Sequence, residues 1–362
     1  MPVIRPGVSE IAPYEAGRPI EEVARSMGVD PAGIIKLASN ESPLPPFPEV
    51  VEAIARAASG VNRYPDNGWH DLSRALASHL NVAPDQLMFG GGSSELLRVI
   101  ALALGGPGTS AVYAWPSFVI YRLASIIAGT DRIEVPLKDH VHDPGAMLAA
   151  IREDTNVLYF CNPNNPTGTY VAGADLIGLI EAVPERVLVV IDEAYYEYVT
   201  AADYATALPE ALARPNVVVA RTFSKVYGLA ALRVGYAIGQ AETLRELRRA
   251  QAPFTVSSLA QVAATVALQY PDQVEDRVRA NAEERERLEK ELGGRHIEYV
   301  PSQANFVFLR HGASAFEDFL RAGVIVRAMG GEWIRVTVGT PEENDRFLAT
   351  VDDLSIMKRS TS

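Results

Sequence analysis

The chain has 362 residues, enough for one large domain or two closely associated ones. Apolar residues make up 48% and charged residues 22%, which is typical of a soluble globular protein. A formal charge of −12 argues against nucleic acid or an anionic membrane as a general partner. No apolar run is long enough to span a bilayer, the N-terminus lacks a signal-peptide pattern, and the single cysteine, Cys161, excludes an intrachain disulfide. We therefore expect a cytoplasmic protein.

The chain begins with a proline-rich, loosely patterned stretch, residues 1–35, which predicts an N-terminal arm packed on another part of the molecule. From residue 36 to residue 245, short runs rich in Val, Leu and Ile alternate with helical patterns. The predicted strands are Leu87–Phe89, Ser110–Ala114, Asn156–Phe160, Arg186–Ile191 and Asn216–Arg221, and helices follow the first two at Ser94–Leu104 and Phe118–Ala128. Continuous apolar strands separated by helices indicate an α/β domain whose mainly parallel sheet is covered on both faces.

The remaining segment, residues 246–362, has a different pattern and predicts a smaller α+β domain. Its predicted elements are helices at Ser257–Gln269 and Asp272–Leu292 and strands at Asn305–Leu309, Gly323–Arg327 and Trp333–Val338.

A glycine-rich turn, Phe89-Gly-Gly-Gly-Ser-Ser-Glu95, lies where the first predicted strand gives way to a helix. Glycine allows a ligand to approach the backbone closely, and the free amides of a helix N-terminus suit a phosphate. Ser93 or Ser94 acting as an ordinary helix cap is the alternative. The turn lacks the lysine ending of a P-loop and the spaced glycines of a dinucleotide-binding motif.

Two further polar motifs follow later strands. In Cys161-Asn-Pro-Asn-Asn-Pro-Thr-Gly168, two prolines stiffen a turn and so fix the direction of the Asn165 side chain, although an ordinary asparagine-rich turn is the alternative. Asp192 ends a buried strand, and the carboxyl ends of parallel strands line the ligand crevice. A buried carboxylate needs a cationic partner, whereas an acidic helix cap is the interpretation that suits Glu193 better.

The segment that ends at Arg233 places Lys225 beside hydroxyl groups at Thr222 and Ser224. A lysine that carries pyridoxal phosphate as a Schiff base needs such neighbours, because hydroxyls and a guanidinium hold the phosphate while the amine reaches the aldehyde. The protonated pyridine nitrogen of that cofactor is also a fitting partner for Asp192. An ordinary surface loop is the alternative for this segment taken alone.

Together these motifs resemble the fold-type-I, pyridoxal-phosphate-dependent aminotransferases, and within them the histidinol-phosphate and aromatic (phenylalanine) aminotransferases. The resemblance runs from Pro13–Glu15 through Lys36–Pro43 and Arg63–Asp66 to Arg335–Gly339. It implies the α/β PLP-transferase fold of type I. In that fold a large domain has a mainly parallel seven-stranded sheet between helices, and a smaller α+β domain packs with the N-terminal arm.

The resemblance also implies roles for individual residues. Lys225 matches the Schiff-base lysine that moves the proton, Asp192 the partner of the pyridine nitrogen, and Asn165 and Tyr195 the pair that binds the ring hydroxyl. Phe118 matches the aromatic stacked on the ring, with plain core packing as the alternative. The implied phosphate contacts are Ser93, Ser94, Ser224, Arg233 and, from a neighbouring subunit, Tyr64. The resemblance therefore implies a homodimer with shared sites.

The implied substrate contacts are Arg335, which matches the arginine that grips an anionic group, with Tyr14, Asn40 and Arg327. The connection from Arg327 to Arg335 is shorter than in histidinol-phosphate enzymes, and Thr255 replaces an asparagine that many of them carry. We therefore expect transamination of an aromatic L-amino acid, such as phenylalanine or tyrosine, with a 2-oxo acid such as 2-oxoglutarate in a ping-pong cycle.

Three alternatives stay open for the activity. The first is histidinol phosphate as the amino donor, and the second is a decarboxylase of the same fold, which would release carbon dioxide instead of a 2-oxo acid. The third is a cofactor-binding module without turnover, although the sequence contains no DNA-binding segment or basic tail. No metal site is predicted.

Overall fold

The computed structural model describes residues 4, 6–9, 11 and 19–360. Its helices are α1 Pro6–Ser9, α2 Ile20–Met27, α3 Pro48–Ala57, α4 His70–Leu80, α5 Ser93–Leu104, α6 Ile120–Ala128, α7 Pro144–Ala149, α8 Gly173–Ala182, α9 Leu208–Ala213, α10 Ala241–Leu247, α11 Ser258–Ala267, α12 Pro271–Gly294, α13 Ala315–Arg321 and α14 Pro341–Ser360. Its strands are β1 Ile35–Lys36, β2 Leu87–Gly90, β3 Ser110–Trp115, β4 Asp131–Pro136, β5 Thr155–Cys161, β6 Leu188–Asp192, β7 Val217–Thr222, β8 Gly235–Ile238, β9 Tyr299–Val300, β10 Phe306–Arg310, β11 Val324–Ile325, β12 Arg327–Ala328 and β13 Trp333–Thr337. Among these described helices, none is long and apolar enough to cross a membrane.

A seven-stranded sheet with the order β2-β8-β7-β6-β5-β3-β4 lies at the centre of the larger part of the molecule. Strands β4, β3, β5, β6 and β7 pair in parallel, and β8 is antiparallel to both of its neighbours. Successive residues of a strand point to opposite faces, so the complete burial of β6 and β7 means that both faces are covered. The predicted α/β fold with a mainly parallel sheet is therefore confirmed.

The sequence reading missed two strands of this sheet. The outer strand β4 carries charged residues and is largely exposed, so it lacks the apolar run that marks the inner strands. Strand β8 is short and begins with Gly235. A side chain at Gly235 would come within 2.5 Å of the Ser93 backbone nitrogen, so close packing against the start of α5 requires glycine there.

The last part of the chain forms a four-stranded sheet with the order β12-β13-β10-β9 and its own buried core. The strand predicted over Gly323–Arg327 is divided, because β11 pairs in parallel with β1 while β12 pairs antiparallel with β13. A third apolar cluster joins Val23 and Ala24 of α2 to Leu320 and Ile325. Helix α2, within the predicted N-terminal arm, therefore contacts residues of the last part of the chain.

The division into residues 1–35, 36–245 and 246–362 remains a proposal. Helix α11 lies in the third of these segments, but its Ala260, Ala263 and Ala264 belong to the apolar core around the seven-stranded sheet. We therefore favour a boundary further along the chain, within α12.

Candidate functional site

The carboxyl ends of β5, β6 and β7 open onto one cavity, where the topology of a parallel sheet places a ligand site. Most of the predicted site residues line this cavity: Asn40, Ser93, Ser94, Phe118, Asn165, Asp192, Tyr195, Ser224, Lys225, Arg233 and Arg335. Residues from both ends of the sequence thus meet at one edge of the sheet. Ser39, Cys161, Ala194 and Thr222 also line it.

Three predicted site residues are not among the described residues that line this cavity. Tyr64 is 83% exposed and stacks on Phe254, with the two ring centroids 4.7 Å apart. Arg327 is half-buried on β12, directly opposite Arg335 on β13. Tyr14 lies outside the described residues. The roles of these three residues therefore remain predictions.

Lys225 reaches the cavity from the loop that follows β7. Its Nζ donates a hydrogen bond to the Ser39 carbonyl oxygen at 3.4 Å and lies 5.5 Å from the centre of the Tyr195 ring. Burial, together with the positive charges of Arg335 and Arg233, lowers the pKa of Lys225 to about 7. A large fraction of this amine is therefore neutral, and nucleophilic, near neutral pH.

Asp192 ends β6 with its side chain almost completely buried. One carboxylate oxygen accepts a hydrogen bond from the Tyr121 hydroxyl at 2.8 Å, and the other accepts one from the Ala194 N–H at 3.2 Å. Burial raises the pKa of Asp192 to about 6, while these two hydrogen bonds and the charge of Lys225 oppose the rise. The sequence reading did not single out Tyr121. Its position one helical turn after Phe118 was the available signal.

A chain of hydrogen bonds connects Tyr195 to Arg335. The Tyr195 hydroxyl accepts from the side-chain amides of Asn40 at 3.0 Å and Asn165 at 3.4 Å. Arg335 donates through one guanidinium nitrogen to the Asn165 side-chain oxygen and through another to the Ala38 carbonyl at 2.8 Å. The groups predicted to orient the cofactor ring and those predicted to hold the substrate anion are therefore mechanically linked.

The start of α5 is built to receive an anion. Gly92, immediately before the helix, has a φ of 83° and makes no side-chain cap, so the capping role considered for Ser93 or Ser94 is not seen. This positive φ is a backbone conformation that side chains rarely adopt, which explains the need for glycine. Arg233 approaches the Ser224 hydroxyl at 3.4 Å. A helix N-terminus, a guanidinium and a hydroxyl therefore converge on one point.

These groups fit pyridoxal phosphate. The amine of Lys225 suits its aldehyde, and the buried carboxylate of Asp192 suits its protonated ring nitrogen. The anion site formed by the start of α5, Ser224 and Arg233 suits its phosphate.

A buried ion pair lies behind the cavity and corrects the interpretation of Glu193 as a helix cap. Arg221 donates to one Glu193 carboxylate oxygen at 2.9 and 2.7 Å, and both side chains are almost fully buried. The Thr206 hydroxyl and the Ala207 N–H also donate to Glu193, at 2.8 and 2.7 Å. Ala207 does precede α9, yet the guanidinium is the partner that balances the buried charge. In the sequence, the available signal for this pair was a glutamate just after one buried strand, β6, and an arginine near the end of the following buried strand, β7.

The comparisons with known proteins agree with this geometry. The family model for aminotransferase class I and II matches residues 32–351. The chain is 41% identical to the histidinol-phosphate aminotransferase of Halalkalibacterium halodurans, over 97% of this chain and 96% of that protein. It is 42% identical to that of Moorella thermoacetica, over 98% and 93% of the two chains.

Among solved structures, the chain resembles the histidinol-phosphate aminotransferase of Sinorhizobium meliloti in complex with pyridoxal-5'-phosphate, with a TM-score of 0.88 and 28% identity. The alignment covers 97% of this chain and 98% of that one. The resemblance inferred from the sequence motifs is confirmed. The chain belongs to the class I and II aminotransferases and is a pyridoxal-phosphate-dependent enzyme of fold type I.

Proposed function

We propose that the protein transfers the amino group of L-histidinol phosphate to 2-oxoglutarate. Relatives with 41% and 42% identity over almost the whole chain are named histidinol-phosphate aminotransferases. They favour the alternative donor over the aromatic amino acid that the sequence reading preferred.

The arrangement of Arg327 and Arg335 carries this proposal. Strands β12 and β13 form a compact hairpin whose turn contains Gly330 and Gly331, with φ values of 92° and 58°. Residues directly opposite each other on antiparallel strands point to the same face, so the side chains of Arg327 and Arg335 leave the hairpin on the same face. The short connection, which counted against histidinol phosphate in the sequence, is what brings them into this register.

Two arginines on one face of a hairpin suit a phosphate better than a single carboxylate. A phosphate monoester carries about 1.5 to 2 negative charges near neutral pH, and arginine binds it in a bidentate manner. An aromatic amino acid offers one carboxylate. The 2-oxo acid acceptor also carries a carboxylate that Arg335 can bind in the second half of the cycle.

The roles of the other residues follow from their positions. Bound pyridoxal phosphate supplies a carbonyl carbon for the amino group and a ring that withdraws electrons. Lys225 Nζ takes the proton from the amino-bearing carbon of the donor and later returns a proton to the acceptor. Asp192 would hold a negative charge for the ring nitrogen, and Tyr195 and Asn165 would orient the ring through its hydroxyl.

The assignment is tested by replacing Arg327 with Gln and measuring kcat/KM for two donors. With L-histidinol phosphate, kcat/KM is expected to fall at least tenfold, since a hydrogen bond to a charged group contributes about 1.5 to 3 kcal/mol. With L-phenylalanine, it is expected to change less than about twofold. Arg321→Gln is the matched control, because Arg321 is an exposed arginine on α13 that pairs with Asp318. An equal loss with both donors, or a wild-type preference for phenylalanine, would contradict the proposal.

We also propose that the protein acts as a homodimer in which Tyr64 completes the phosphate site of the neighbouring subunit. The stacked Tyr64 and Phe254 rings are 83% and 41% exposed, and paired aromatic rings of this kind are enriched at protein interfaces. Mixing Lys225→Ala with Tyr64→Ala subunits tests this arrangement, because a mixed dimer would contain one complete site. Activity is expected to recover to about a quarter of the wild-type value after random exchange. No gain over the separate variants would contradict shared sites.

A further inference from the structure

Tyr121 on α6 has its hydroxyl group against the carboxylate of Asp192. The hydroxyl donates to Asp192 at 2.8 Å, and the Tyr121 side chain is fully buried. Its ring stacks on Tyr159 with a centroid distance of 5.0 Å and meets the edge of Phe118 at 5.9 Å. The Tyr121 ring is therefore held on two sides, and its hydroxyl lies against Asp192 and beside the Cys161 thiol.

Asp192 can contact a ligand in the cavity directly, whereas Tyr121 contacts Asp192 from behind it. Asp192 lines the cavity, and Tyr121 is not among its lining residues. A buried carboxylate resists ionisation, and a donated hydrogen bond stabilises its charged form. We propose that Tyr121 is a positioning residue that keeps Asp192 ionised and directed towards the ring nitrogen of the cofactor. This inference depends on the cofactor and is independent of which amino donor the enzyme uses.

Other titratable groups also face Asp192 from the elements packed around it. They are Cys161 at the end of β5, Lys225 after β7, and Glu193 and Tyr195 on the same segment as Asp192. Burial raises the pKa of Cys161 and of Tyr195, so both are neutral across the physiological range. Glu193 is held by its ion pair with Arg221. Lys225 and Asp192 titrate over overlapping pH ranges, so the experiment must distinguish the titration of one from that of the other.

The test compares Tyr121→Phe with Tyr159→Phe in cofactor-free protein. The two tyrosines are both fully buried and stacked on each other, yet the Tyr159 hydroxyl has no hydrogen-bond partner among the described residues. Each substitution removes one buried hydroxyl from the same aromatic cluster. Pyridoxal phosphate affinity would be measured by equilibrium dialysis between about pH 5 and about pH 9, a range that spans the titration of Asp192.

In Tyr121→Phe, the pH midpoint below which affinity falls is expected to rise by about one unit, and affinity near pH 6 to fall about fivefold. Tyr159→Phe is expected to follow the wild-type curve. In an Asp192→Asn background, which leaves Lys225 in place, Tyr121→Phe is expected to cause no further shift. An unchanged midpoint in Tyr121→Phe, an equal shift in Tyr159→Phe, or a shift that persists with Asp192→Asn would overturn the proposal.

Discussion

Asp192 and Glu193 are neighbours in the chain and are both buried, but their side chains point in different directions and have different partners. Glu193 points away from the cavity and receives a guanidinium, a hydroxyl and a backbone N–H. Asp192 faces the cavity and receives one hydroxyl and one N–H, with burial raising its pKa to about 6. A carboxylate whose partners are all within the protein stabilises the fold, and one left partly unpaired is available to a ligand.

Arg221 on β7 and Lys225 in the loop that follows it show the same contrast between a paired and a partly unpaired charge. Arg221 is held by Glu193 and lies over the Tyr196 ring at 3.7 Å, so its charge is fixed. Lys225 has a carbonyl at 3.4 Å as its hydrogen-bond partner, and its pKa is lowered to about 7. The ion pair therefore anchors the ends of β6 and β7, and the reactive groups extend from those anchored ends into the cavity.

The largest effect on turnover is expected from removing the amine of Lys225. Lys225→Ala should lower kcat by at least about a thousandfold, because both the attached amine and the proton-transfer group are lost. Cofactor content, measured separately from turnover, shows whether binding survives. Lys290→Ala is the control, since Lys290 is an exposed lysine on α12. Turnover close to the wild-type rate would remove Lys225 from the mechanism.

The second prediction is that removing the charge of Glu193 and that of Asp192 has different effects on the free energy of unfolding. Glu193→Gln leaves Arg221 buried without a counter-charge and is expected to lower the free energy of unfolding by about 3 to 5 kcal/mol. Asp192→Asn removes a buried charge that lacks a cationic partner within hydrogen-bond distance, so the cofactor-free protein should change by less than about 1 kcal/mol while activity falls. Denaturant unfolding of both cofactor-free variants measures the difference. Equal losses of stability would mean that the two carboxylates have the same structural role.

The smallest effect is the pH dependence that Lys225 gives to the stability of the cofactor-free protein. Its pKa falls from an ordinary value of 10.5 to about 7 on folding, so between these values the unfolded chain binds more protons. Lys225 therefore makes stability rise with pH across that window, and the full cost of burying its charge is present below it.

Lys225→Met removes this cost. The melting temperature of the cofactor-free variant should exceed that of the wild type most clearly below pH 7, and the difference should shrink towards pH 10.5. A difference that stays constant across this range would show that the Lys225 amine is not desolvated.

Much of the site could be predicted from the sequence because its residues follow strands with strong apolar signals. Asp192 ends a run in which every residue is buried, so the strand and the position of its last side chain could be identified together. The glycine-rich turn was identifiable for a similar reason, because the positive φ of Gly92 favours glycine and glycine is visible in the sequence. These features are local, and local patterns are what a sequence displays directly.

Features that depend on pairing between distant segments were missed. The Glu193–Arg221 ion pair forms because β6 and β7 lie side by side, and neither residue alone indicates its partner. Tyr121 gains its role by the way α6 packs against the end of β6. The antiparallel register of Arg327 and Arg335 also depends on pairing, and the length of their connection does not display it.

A single-turnover visible spectrum would decide whether this aminotransferase acts on histidinol phosphate, as we propose. The holoenzyme would be mixed separately with L-histidinol phosphate and L-phenylalanine, without an acceptor, while the absorbance band of the lysine-bound cofactor is followed. We expect rapid loss of the band with histidinol phosphate and a much slower change with phenylalanine. Rapid loss with phenylalanine and little change with histidinol phosphate would contradict it.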